Sequence, residues 1–159
     1  MTPAKRPQSG AKRKRPKKRP PLKKEKPFVR FEGPRVTEAD VDMRPGKGGP
    51  RSGGEPGGFF WHVYVGAVKA GRAWISYHET EGGKPEPSVT VMLNKQSQGR
   101  GIGTIAFRRA AELSPYDEVY ATVAKKNTAS RNALERAGFV TAEHQKGSEL
   151  YMVWRRDAA

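Results

Sequence analysis

Apolar and polar residues alternate in readable patterns only from Phe59 onward. Residues 59–68 (FFWHVYVGAV) are rich in aromatic and β-branched side chains and predict a strand. Lys69-Ala70-Gly71-Arg72 reads as a turn, and residues 73–79 (AWISYHE) return as a second strand. The stretch ETEGGKPEPS interrupts the pattern, and residues 88–93 (SVTVML) form a third strand. The period then changes. Ile102, Ile105, Ala106, Ala110 and Leu113 share one face of a helix over 101–113, and Arg100, Thr104, Arg108 and Glu112 share the other. Ser114-Pro115 stops it. Residues 117–123 (DEVYATV) predict a strand. Asn127 or Thr128 caps a second helix that buries Ala129, Ala133, Leu134 and Ala137 and ends at Gly138. Phe139–Glu143 and Glu149–Arg155 read as two last strands around Lys146-Gly147.

The order from Phe59 is therefore β-β-β-α-β-α-β-β. A strand–helix–strand unit flanked by hairpins predicts an α+β (mixed α/β) domain, a mixed sheet with helices packed on it. Upstream the signals are shorter. Residues 28–32 (FVRFE) suit a brief strand. Residues 37–43 (TEADVDM) suit a brief helix, with Thr37 as N-cap and acids in the first turn. Residues 45–58 (PGKGGPRSGGEPGG) have the composition of a flexible loop. Its GKGG lacks the spacing and the Lys-Ser/Thr pair of a Walker loop.

Charge sets the first 27 residues apart. They carry twelve Lys or Arg against one acid, Glu25, and so hold 11 of the chain's 15 net positive charges. Their large apolar side chains are Met1 and Leu22, and six prolines block helix interiors. We expect 1–27 to be a disordered basic tail and 28–159 to be the folded domain. The chain has no cysteine, which excludes disulfides, thiolate metal sites and a Cys nucleophile. No His/Asp/Glu cluster has metal-ligand spacing, so no metal is expected. No apolar run nears membrane-spanning length and no secretory signal core is present. We expect a cytoplasmic protein without a membrane partner.

Chemistry concentrates between Ser88 and Gly103, where a strand feeds a glycine-rich turn that opens a helix. Gly99, Gly101 and Gly103 clear side chains from the backbone. The first helical turn presents unpaired N–H groups and the positive end of the helix dipole, which suits phosphate. Arg100 adds a cation. The spacing is G-x-G-x-G, and no acid follows about twenty residues on at a strand end, so a dinucleotide fold is a poor match.

These residues resemble a family. QGRGIG, from Gln98 to Gly103, is similar to the Gln/Arg-x-x-Gly-x-Gly/Ala signature of the GNAT superfamily of acetyl-CoA-dependent N-acyltransferases. NTASRNALERAGF, from Asn127 to Phe139, is similar to that family's Asn-x-x-Ser…Gly-Phe segment. The resemblance covers about residues 59–155. It implies a mostly antiparallel sheet with one splayed strand pair, flanking helices, and acetyl-CoA as co-substrate. The N–H groups of Gln98, Gly99, Arg100, Gly101, Ile102, Gly103 and Thr104 would hold the CoA diphosphate. The pantetheine arm would lie between Val91–Leu93 and the strand at 117–123. An N–H at Met92 or Leu93 would stabilise the oxyanion, and Asn127 and Ser130 would contact the pantetheine. The acceptor, a primary amine of a small molecule or a peptide or protein, would attack the thioester directly.

The match departs from the family where proton transfer is concerned. Many relatives carry a Glu on the strand before Asn127 and a Tyr four residues after the Ser; here Thr122 and Leu134 stand there. The remaining candidate bases are Glu79 and His78, and the candidate acids are Tyr77, Tyr120 and Tyr151. Glu79 and Tyr120 are the pair selected, although Glu79 also reads as a solvated strand-end acid. Two other readings use the same residues. One is a non-catalytic module with a CoA-binding fold, tethered to nucleic acid by its tail. The other is a nucleic-acid-binding protein whose glycine turn touches backbone phosphate. The tail itself fits non-specific contact with nucleic acid or another polyanion, and it has no aromatic residue for base stacking. Removing residues 1–27 should abolish low-salt retention on DNA or RNA and leave acyl-CoA binding unchanged. Undiminished retention of the truncated chain would refute the role of the tail.

Overall fold

A computed structural model of the chain describes residues 35–142 and 147–157. The basic tail, the strand expected at 28–32, and the residues from Glu143 to Lys146 lie outside them. Seven strands form one sheet: β1 (Val41–Pro45), β2 (Phe59–Val65), β3 (Val68–Glu79), β4 (Pro85–Leu93), β5 (Glu118–Ala124), β6 (Val140–Thr141) and β7 (Glu149–Arg155). Their spatial order is β1-β2-β3-β4-β5-β7-β6. Every neighbouring pair is antiparallel except β4 and β5, which are parallel. Two helices, α1 (Ile102–Leu113) and α2 (Thr128–Arg136), make the connections on either side of β5.

One face of the sheet carries the core. Trp61, Ile75, Val89, Val119, Ala121 and Met152 pack against Phe107, Ala110 and Ala111 of α1, and against Leu134, Ala137 and Phe139 at and after α2. The alternate positions of β2 to β5 turn to the other face, which no helix covers among the described residues. The apolar face of α1 is Ile102, Ile105, Ala106, Phe107, Ala110 and Ala111. Leu113, expected inside, is 55% exposed and is the last residue of the helix. Ala129, also expected inside, is exposed on the first turn of α2. Arg156 closes the C-terminal end of α1, donating to the carbonyls of Ser114 at 2.7 Å and Tyr116 at 3.0 Å.

Three sequence expectations are corrected. The helix expected at 37–43 is a single 3₁₀ turn, Glu38–Asp40, followed directly by β1. The Asp40 carboxylate accepts from the Thr37 N–H at 2.9 Å and ends the turn on itself, so Val41 is free to enter the sheet. The turn expected at Lys69–Arg72 lies inside β3. The chain reverses earlier, at Gly66, whose φ of 59° supplies the left-handed residue a two-residue hairpin needs. Gly71 marks a close approach instead: a Cβ there would lie 2.1 Å from the Met92 carbonyl oxygen. The register passes from Val63↔Gly71 to Tyr64↔Lys69 and leaves Ala70 as a bulge.

The third correction concerns β4, which begins at Pro85 rather than Ser88. Prolines are tolerated here for a specific reason. The Tyr77 N–H donates away from β4, to the Glu55 carboxylate at 2.8 Å. Tyr77 opposes Pro87, so that pair exchanges no hydrogen bond, and the N–H missing from Pro87 would have pointed toward β5. On that side the only paired register is Ser88↔Tyr120. Beyond it β4 and β5 diverge, as the splayed pair expected from the sequence.

Leu134 is fully buried between the helices and the sheet. Leu134→Ala should cost about 2–5 kcal/mol of unfolding free energy, and Leu113→Ser should stay within about 0.5 kcal/mol. Urea denaturation of the two variants checks both values.

Candidate functional site

Where β4 and β5 part, a groove of about 820 Å³ opens. Val91 and Leu93 of β4 and Phe107 of α1 form its apolar part. Gln98, Gly99, Gly101, Gly103 and Thr104 form the turn at its mouth, and Asn127 and Ser130 at the start of α2 stand on the other side. No carboxylate lines it among the described residues, whereas Arg35 and Arg136 both do.

Backbone alternation decides which amides face the opening. The Asn94 N–H donates to the Ala70 carbonyl at 2.8 Å, toward β3, and the Tyr77/Pro87 pair is unbonded. Even-numbered residues of β4 therefore bond to β3, and Val89, Val91 and Leu93 turn their N–H and C=O groups toward β5. Of the two amides expected to face a thioester, that of Leu93 points into the opening and that of Met92 points to β3. The Met92 side chain is half-exposed on the other face of the sheet, with its sulfur 3.8 Å from the Arg72 guanidinium.

The turn at the mouth is held open by glycine. Gly99 and Gly101 have φ of 79° and 84°, a region that L side chains enter at a cost. Gly101 is the N-cap of α1. No described side chain caps the helix and its first turn holds no acid, so its leading amides present the helix dipole to the groove. Ile102 contributes its backbone only; its side chain is buried in the core. Arg100 does not line the groove. It lies near Asp40, whose carboxyl is held below its ordinary value first by bonds from Thr37 and also by this cation. The Asn127 side chain caps α2, accepting from the Ser130 N–H at 3.2 Å.

Of the candidate proton-transfer residues, His78, Tyr120 and Tyr151 lie on the uncovered face, whereas Tyr77 and Glu79 share the helix-covered face with Ile75. Glu79 is exposed at the end of β3, with the Tyr77 hydroxyl 3.4 Å away. Tyr120 donates to Glu118 at 2.7 Å. Beside Tyr120, at a ring distance of 5.9 Å, stands Tyr151, which donates to Glu86, and the other oxygen of Glu86 is 3.2 Å from His78 Nε2. Burial, and then the bond to Glu86, push the Tyr151 hydroxyl up to about 12. Tyr120 is raised by burial and by Glu118. This cluster brackets the Ser88↔Tyr120 pairing, since Glu86 is two residues before Ser88 on the same face. Glu86 was missed in the sequence because PEPS reads as a strand break. The signal was present as alternation: Glu86, Ser88 and Thr90 polar, Pro87, Val89 and Val91 apolar. Phe107, Asn132, Arg35 and Arg136 were missed as groove residues because they sit on elements whose relative placement only the fold supplies.

A sheet opened between two parallel strands, with a glycine turn and a helix N-terminus at the mouth, defines a class of protein that holds an extended, phosphate-bearing ligand edge-on. The family model for the acetyltransferase (GNAT) domain matches residues 25–140, and the chain belongs to that family. No curated protein shows a significant sequence match to it. Solved structures share the fold at low identity. The yncA protein of Salmonella typhimurium, solved with its cofactor acetyl-CoA, is 18% identical with a TM-score of 0.53, over 65% of this chain and 67% of that one. The aminoglycoside acetyltransferase AAC(6')-Ib in complex with coenzyme A is 21% identical with a TM-score of 0.54, over 64% and 68%. The ribosomal-protein-S5-alanine acetyltransferase of Vibrio fischeri is 19% identical with a TM-score of 0.53, over 64% and 63%.

The Glu118 carboxyl is held below its ordinary value of 4.5, first by the Tyr120 hydroxyl. A lowered value in the fold means stabilisation that is present above pH 4.5 and lost as pH falls through the lowered value. The side chain is 38% exposed, so the contribution is under about 1 kcal/mol. Glu118→Gln should lower the melting temperature slightly at pH 7 and progressively less toward pH 3. A loss of equal size at both pH values would assign the effect to packing.

Proposed function

We propose that the protein transfers an acetyl group from acetyl-CoA to a primary amine. The groove between β4 and β5 carries this reading: it is long, apolar at one end, lined by amides at the other, and free of carboxylates among the described residues. In it the amides from Gly99 to Thr104 bind the diphosphate. The pantetheine amides bond to the unpaired edge of β4 as an added strand would. The Leu93 N–H receives the thioester oxygen, and Val91 and Phe107 exclude water around it.

The amine attacks the thioester carbon, the C–N bond forms, and the C–S bond breaks as the tetrahedral oxyanion collapses. The amine must lose a proton and the CoA thiolate must gain one. Glu86, coupled to His78, lies seven residues from Leu93 along β4, roughly 20 Å at about 3.3 Å per residue. It therefore accepts the first proton through a relay of water rather than by direct contact. Tyr120 or Tyr151 supplies the second, both hydroxyls being kept protonated by burial and a neighbouring carboxylate. Glu79 is the competing base, one residue beyond His78 on β3 and therefore on the opposite face of the sheet from Glu86. The acceptor approaches the uncovered face, where the loop at 45–58 contains no helix. It closes on itself through the Gly54 N–H to Gly49 carbonyl bond at 2.9 Å, and leaves room for a peptide or protein amine. The basic tail adds contact with a polyanion and leaves the groove unchanged.

Acetyl-CoA should raise the melting temperature, and an amine panel should then release free thiol. Stabilisation without turnover would favour a non-catalytic CoA-binding module, and neither effect would refute the reading. A Cβ at Gly103 meets nothing nearer than Leu93 at 3.8 Å, so Gly103→Leu should fold. Its longer side chain enters the groove and should raise KM for acetyl-CoA about tenfold, ~1.4 kcal/mol. Glu86→Gln should cut kcat by roughly 10²-fold or more with KM for acetyl-CoA unchanged. If Glu79→Gln gives that pattern instead, the base is Glu79.

A further inference from the structure

Most arginines of the folded domain are spoken for. Arg44, Arg108, Arg131, Arg155 and Arg156 each lie against a carboxylate, and Arg109 bonds the carbonyls of Val41 and Glu38. Arg35 and Arg136 differ. Both are exposed, both line the groove, and neither is paired with a carboxylate among the described residues. They reach the groove from opposite sides of the glycine turn. Arg35 precedes Val36, whose N–H donates to the Arg100 carbonyl at 3.1 Å and so ties this segment to the turn. Arg136 follows Ala133 by three residues on α2, and Ala133 faces the turn directly: a Cβ on Gly103 would lie 4.0 Å from its own.

The turn already offers backbone amides for a diphosphate, which carries its charge on oxygens that single N–H groups suit. Two guanidinium groups on opposite rims are a different device. They match a phosphate monoester, which is close to dianionic at neutral pH and takes bidentate contacts. We propose that Arg35 and Arg136 form a subsite for a third phosphate, the 3′-phosphate on the ribose of CoA. The protein thereby selects CoA thioesters over their 3′-dephospho counterparts. The inference rests on the acyl-CoA reading of the groove. Arg100, the cation within the turn, does not line the groove, so the cations that recognise phosphate come from outside the turn.

Calorimetric titration of the full chain with CoA and with 3′-dephospho-CoA tests this. The unmodified protein should bind CoA about tenfold or more tightly than dephospho-CoA, with the preference shrinking as salt rises. The Arg35→Ala/Arg136→Ala double variant should bind the two within about twofold of each other, with its affinity for dephospho-CoA unchanged. Both side chains are exposed, so an unchanged melting temperature verifies the fold. Equal binding of the two ligands by the unmodified protein overturns the subsite and leaves the acyl-CoA reading intact. So does equal weakening of both ligands in the variant. A preference that survives in the variant moves it to other cations, the basic N-terminal run included, and overturns the assignment. If neither ligand binds, the subsite falls together with the acyl-CoA reading.

Discussion

Beyond Ser88, one edge of β4 has no strand to bond to. Val91 turns its amide and carbonyl toward β5, Leu93 turns its amide the same way while its carbonyl accepts from Gln98 Nε2 at 3.3 Å, and β5 meets β4 only at Ser88↔Tyr120. A row of unpaired backbone groups in the middle of a sheet is costly when buried and adhesive when exposed. The protein does not fill it with chain. β5 turns away to pair with β7 along its whole length, from Glu118↔Arg155 to Ala124↔Glu149. The apolar floor at Phe107 keeps the gap from collapsing into solvent. An extended ligand with its own amides would satisfy this edge, and the glycine turn would hold its phosphate end.

The two faces of the sheet divide the work. The helices cover one face and bring the glycine turn, proposed to bind phosphate, to the mouth of the gap. The other face collects the groups proposed to move protons: Glu86, His78, Tyr120 and Tyr151 lie on four neighbouring strands around the last paired residue. Charge is divided in the same way. Among the described residues two arginines and no carboxylate line the groove, and Glu86 and Glu118 stand on the uncovered face, where the proposed acceptor amine would arrive. A ligand with several phosphates and an acceptor with a positive charge are thus drawn to different sides of one sheet.

What was legible in the sequence was whatever depends on neighbours in the chain. Ile102, Ile105 and Ala106 repeat at helical spacing, and Gly99, Gly101 and Gly103 open the helix, so α1 and its turn were readable. Gly71 misled because glycine marks both a turn and a close approach, and only the Met92 carbonyl across the sheet decides which. Pro85 and Pro87 misled because proline is excluded from a ladder only where its N–H is needed, and the splay of β5 removes that need. The helix expected at 37–43 failed because three residues close by the Thr37–Asp40 bond leave no stretch long enough to propagate. Glu86 and the Arg35–Arg136 pair were out of reach for a common reason: their partners are separated from them by whole elements.

The same frame constrains the acceptor less than the donor. Two structural neighbours of nearly equal likeness are an aminoglycoside acetyltransferase and a ribosomal-protein-S5-alanine acetyltransferase, so the fold by itself does not select an amine. On the proposed reading, selection comes from side chains on the uncovered face, where this chain places aromatic rings. Phe60 and Trp74 stack with planes 12° apart, and Arg72 lies over the Trp74 ring at 5.5 Å. The loop at 45–58 reaches the same strand, with the Arg51 carbonyl accepting from the Ser76 hydroxyl at 2.9 Å. An acceptor crossing this surface meets flat aromatic area before it meets Glu86. Flat area favours a chain that can lie along a sheet over a compact polycation that needs a pocket of carboxylates. The flat aromatic surface and the open loop thus favour the same acceptor that is proposed above, the amine of a peptide or protein.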